Sequence, residues 1–80
     1  MPTFYFHLES GELELDDEGT EFSTIADARH EALILLADVL RNGAGEMIWR
    51  GHPLRLWVTD GPSGAGDTLF NIEVVASRRP

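Results

Sequence analysis

TIADARHEALILLADVLR, residues Thr24 to Arg41, is the stretch whose reading decides the fold. Placed on a helix at about 100° per residue, Ile25, Ala28, Ala32, Leu33, Leu35, Leu36, Val39 and Leu40 fall within one arc of about 160°. Asp27, His30, Glu31, Asp38 and Arg41 take the other side. Both ends carry boundary signals. Thr24 is a good N-terminal cap, and Asp27, three residues on, suits a capping box and the positive end of the helix dipole. Arg41 favours the last turn, and Gly43 is a natural stop. The pattern predicts a helix lying on a sheet. Two residues interrupt it. Ile34 points to the polar side, as scattered exposed apolar residues do. Arg29 falls inside the apolar arc, which predicts either a stem that snorkels to the sheet edge or a buried pair with an acid of the Asp16–Glu18 turn.

Strand patterns flank this helix on both sides. Phe4, Phe6 and Leu8 alternate with Thr3, Tyr5 and His7, the period of a half-buried strand over Thr3–Leu8. Ser10-Gly11 reads as a turn, and a short strand Glu12–Leu15 returns with Leu13 and Leu15 inward. Its acids mark it as an edge. Asn42–Pro53, with Gly43, Gly45, Gly51 and Pro53, reads as a loop. Leu54, Leu56 and Val58 then alternate with Arg55, Trp57 and Thr59 in a third strand. Asp60–Asp67 is a glycine-rich connection, and Thr68–Ala76 is the last strand, with Phe70, Ile72 and Val74 as its inner set. The expected fold is therefore α+β: ββαββ, a four-stranded, mostly antiparallel sheet with one helix packed on one face.

With 80 residues the chain has room for one domain, residues 1–80, and at 42% apolar it has enough core-forming residues to fold. Its formal net charge of −8 rests on fourteen acids against six bases, all arginine. The acids crowd the start: Glu9, Glu12, Glu14, Asp16, Asp17, Glu18 and Glu21 precede the first basic residue, Arg29. Such a field argues against nucleic acid and anionic membrane as partners, and for solubility or a basic partner protein. The absence of cysteine excludes disulfides, thiol nucleophiles and thiolate metal sites. The longest apolar run, Ala32 to Ala37, is far short of a membrane span of roughly 20 residues. The opening MPTFYFHLES has no basic region before a strand-like pattern, so a cytoplasmic protein is expected.

The usual chemical motifs do not assemble. His7, His30 and His52 fall on a strand, a helix and a loop, without the spacing of a transition-metal site. Asp16-Asp17-Glu18-Gly19 lacks the alternating ligands and terminal glutamate of a calcium loop and reads as a tight turn. Ser10, Ser23, Ser63 and Ser77 sit in no nucleophile elbow. The run DGPSGAGD, Asp60 to Asp67, joins two strands and has no lysine, unlike a phosphate loop. No catalytic residue, metal ligand or cofactor is assigned. The feature left over is the sheet face away from the helix, with Tyr5, His7, Arg55, Trp57, Thr59, Asn71, Glu73 and Val75. Aromatic and arginine side chains anchor protein contacts, so Tyr5, His7, Arg55, Trp57, Glu73 and Val75 are candidate interaction residues, with a second copy as the first candidate partner. The competing expectation is that Trp49 folds over that face.

The chain resembles a family of short, uncharacterised bacterial proteins built around a domain of unknown function. The resemblance rests on M-P-x-F-Y-F-H (Met1 to His7), D-x-E-G (Asp16, Glu18, Gly19), A-x-A-R-x-E-A (Ala26, Ala28, Arg29, Glu31, Ala32) and a later V-x-D (Val58, Asp60). It implies the architecture and no activity. In its strand meander, acidic glycine turn and packed helix the chain is also similar to small acidic antitoxins of the HicB type. The reading is a non-enzymatic protein-interaction module that self-associates as a dimer. An antitoxin-like neutraliser of a basic protein is the alternative, and a small enzyme the distant one.

Overall fold

In the computed structural model, which describes residues 1–79, the chain runs β1 (Thr3–Glu9), β2 (Leu13–Glu14), β3 (Thr20–Glu21), α1 (Ile25–Val39), α2 (Gly45–Trp49), β4 (Leu54–Thr59) and β5 (Thr68–Val74). The strands form one antiparallel sheet in the order β2-β1-β4-β5, and β3 continues the edge that β2 begins, also pairing with β1. The α+β class and the covering helix follow the sequence. The fifth strand was not legible in it, because a two-residue strand is too short to show a period of two.

β4 is central, and its inward residues Leu54, Leu56 and Val58 are fully buried. α1 packs on them through Ala28, Ala32 and Leu36. Small residues at i and i+4 let the helix approach the sheet closely, and Leu35, Val39 and Leu40 pack against the same core beside them. Six of the eight residues of the expected arc thus meet the core and two do not: Leu33 is 59% exposed and Ile25 38%. Arg29 is exposed and forms no buried pair with the Asp16–Glu18 turn. Ile34 is exposed, as its position predicted. Thr24 caps α1, its hydroxyl accepting from the Asp27 N–H at 3.2 Å.

Asn42–Pro53 is not all loop. Gly43, at φ +125°, breaks the helical path, and the chain resumes as α2 to bury Ala44 and Ile48, four residues apart. Leu13 and Leu15 do not point inward; they are 56% and 43% exposed, since α1 does not reach the β2 edge. Phe22 instead closes that side, edge or tilted against Phe6 and Phe4 at about 6 Å between ring centres.

Candidate interaction surfaces

Two different surfaces arise from this fold, and neither is the broad open face that strand alternation predicts. The helix-free face of β1 and β4 is closed at one end. The turn Asp16–Gly19 folds across it, and the backbone C=O of Asp16 accepts from the Ser63 N–H at 2.8 Å, clasping the β4–β5 connection to the same turn. His7 and Thr59 lie beneath the clasp at 0% and 2% exposure.

Their hydrogen bonds set the protonation of the ring. The Asp16 N–H donates to His7 Nδ1 at 3.0 Å, and a backbone amide can only donate. Nδ1 therefore carries no proton, and Nε2–H donates to Thr59 Oγ1 at 2.8 Å. The Thr59 hydroxyl passes its own proton to the Gly61 carbonyl at 2.7 Å. On paper His7, Asp16 and Thr59 resemble a base, an orienting acid and a nucleophile. The geometry reverses the roles: the imidazole donates to the hydroxyl, and the Asp16 carboxylate faces elsewhere. Burial holds the His7 pKa below its ordinary value, against the pull of the Asp16 charge.

The Asp16 carboxylate completes the sheet edge. Oδ2 accepts from the Phe6 N–H at 3.1 Å, standing where a neighbouring strand would, between β2 and β3. Oδ1 accepts from the Glu18 and Gly19 N–H groups, each at 3.1 Å. Burial pushes its pKa up, but the three amides and the imidazole outweigh that, so the net shift is downward. Gly19, at φ +75°, lies so close to β1 that a Cβ there would come within 2.5 Å of Thr3 and 2.8 Å of the Tyr5 ring.

The structure places the six predicted residues of this face in different states. His7 is withdrawn from any surface, and Tyr5 is half-buried against the turn. Trp57 and Arg55 remain partly accessible, the guanidinium carbon 4.1 Å above the indole centre. Glu73 and Val75 are exposed on and beside the edge strand β5. Arg55 also stands 3.8 Å from Glu9 across the ladder, an exposed pair of small worth. Trp49 does not cover this face. It is 62% exposed and lines a groove with Leu40, Val74, Val75 and Ala76 at the end of β5.

The second surface is a groove of about 690 Å³ between the β1–β2 turn and the α1–α2 bend. Leu8, Val39, Ala44 and Met47 give it an apolar floor, and Glu12, Glu14 and Asp38 stand at its rim. Gly11 is required there: it adopts φ +80°, and a Cβ would meet the Met47 methyl at 3.0 Å. Sequence reasoning missed this groove, because its walls come from segments about 25 to 40 residues apart that no local pattern joins. Among the described residues, no three His, Asp or Glu side chains gather as a metal ligand set, and no helix is long and apolar enough to cross a membrane.

Residues 3–75 match the family described as Domain of unknown function (DUF6894). The chain belongs to that family. Neither the curated proteins nor the solved structures contain a match. Family membership accounts for the whole described sheet and helix pair, from β1 through β5, and assigns no activity to it.

Proposed function

We propose that this domain is a non-enzymatic protein-interaction module and that its acid-rimmed groove receives a basic, apolar segment of another protein. The observation that carries the reading is the pairing of an apolar floor with carboxylates at the rim, Glu12 and Glu14 on one wall and Asp38 on the other. Apolar contact supplies the attraction, and the charges select a cationic partner and repel anionic ones. The net charge of −8 extends the same preference to long range. An antitoxin-like neutraliser of a basic protein is one form of this activity, and the groove is where it would act.

The test is capture of partners by the wild type, by Glu12→Lys/Glu14→Lys and by Trp57→Ala. Both glutamates are exposed, so reversing them leaves the fold intact. Loss of basic partners in the glutamate variant alone supports the groove, with salt weakening the wild-type capture. Loss in Trp57→Ala alone moves the binding surface to the Arg55–Trp57 face and refutes the groove reading.

A further inference from the structure

The sheet has one well-guarded edge and one bare one. On the β1 side, β2, β3 and the Asp16 carboxylate take up the outward groups. On the other side β5 ends the sheet, and its seven residues contain neither proline nor lysine. Long edge strands without such guards are templates for pairing.

Which groups β5 offers follows from the ladder. The Phe6 N–H points away from β4, toward Asp16, so Tyr5, His7 and Glu9 are the β1 residues that direct their amides at β4. Their partners Thr59, Trp57 and Arg55 answer them, which leaves Leu54, Leu56 and Val58 bonded to Val74, Ile72 and Phe70 of β5. The outward amides and carbonyls of β5 are then those of Asn71 and Glu73, with Val75 beyond them, while Leu69 falls at the irregularity where the register shifts from Phe70 to Thr68.

The strand is self-complementary about Ile72. In an antiparallel pairing centred there, Asn71 opposes Glu73 of the second copy and Glu73 opposes its Asn71, so no acid meets an acid. Phe70 opposes Val74, and the exposed Leu69 and Val75 flank these pairs. Between Thr68 and Ala76 the one charged side chain is Glu73, in a chain of net charge −8. The helix layer repeats the pattern. Leu33 lies seven residues before Leu40 on the same side of α1, the side that borders Val74–Ala76, and both Leu33 and Trp49 are largely exposed. A strand pair alone gives less contact than the roughly 800 Å² per partner of a standard interface, and this apolar flank adds to it.

We propose that β5 pairs antiparallel with β5 of a second copy, centred on Ile72, joining two sheets into one continuous sheet. The proposal stands apart from the groove, which lies at the opposite edge, so either can fail alone.

The test is light scattering over a wide concentration series, with circular dichroism to check that each variant is folded. The wild type should pass from monomer to dimer as concentration rises. Asn71→Pro removes an outward amide that makes no bond within the chain, so it should keep the fold and abolish the dimer. Asn71→Glu sets like charges opposite one another twice and should weaken the dimer on the order of tenfold, while Asn71→Lys should strengthen it. The double exchange Asn71→Glu/Glu73→Asn restores an unlike pair and should recover wild-type association. A wild type that stays monomeric throughout, or a dimer that survives Asn71→Pro but is lost in Trp57→Ala, overturns the proposal. Equal dimerisation by Asn71→Glu and Asn71→Lys overturns the register.

Discussion

Replacing Asp16 by alanine should cost far more than its half-exposed, acidic position implies. The carboxylate holds three backbone amides: Phe6 on the strand edge, and Glu18 and Gly19 in the turn. A hydrogen bond to a charged acceptor contributes about 1.5–3 kcal/mol, and water can replace part of that at the exposed turn. Counting about 1 kcal/mol for each bond gives a loss of about 3 kcal/mol, with the partly buried Phe6 amide losing most. In a domain of this size that corresponds to a fall in melting temperature of about 15 °C. The turn also covers His7, so its loosening should change the near-ultraviolet dichroism of Trp57, whose ring centre lies 5.3 Å from that of the imidazole. Thermal and urea unfolding of Asp16→Ala should be compared with Asp17→Ala, an exposed neighbour expected to stay within about 0.5 kcal/mol of wild type. Equal effects of the two substitutions would refute the view that Asp16 acts as the missing piece of the sheet edge.

Further outcomes rest on the same geometry. The His7 pKa is lowered in the folded state, so the unfolded chain binds its proton first as pH falls. Stability should be full above about pH 6.5 and decline below it, and melting curves of a folded His7→Gln variant should lack that slope. The lowered Asp16 pKa adds a second decline below about pH 4, absent in Asp16→Ala. Gly19→Ala should lose at least about 2 kcal/mol in urea unfolding, because it combines a left-handed backbone with contact against Thr3 and Tyr5. Leu33→Gln should leave monomer stability within about 0.5 kcal/mol, since its side chain is mostly in water, whereas Ala32→Leu should cost about 1–3 kcal/mol by forcing the helix off the sheet.

The sequence by itself determined what repeats locally. The alternation Phe4-Phe6-Leu8 and Leu54-Leu56-Val58, the capped helix from Thr24, and the turn glycines Gly11 and Gly19 are each written within a few residues. Backbone periodicity and conformational preference act at that range, so the α+β architecture was legible. The tertiary structure decided which of those residues meet water. Helical periodicity gave Leu33 and Leu36 equal standing, yet one is exposed and the other buried, because Leu36 lies over the sheet beside Ala28 and Ala32 while Leu33 lies at the margin of the apolar arc. Strand alternation placed His7 beside Trp57 on an open face. A turn nine residues on and a threonine fifty-two residues on then enclosed it. The groove and the bare β5 edge are likewise products of assembly: both depend on which strands become neighbours, and pairing between distant segments leaves no local signature in the chain.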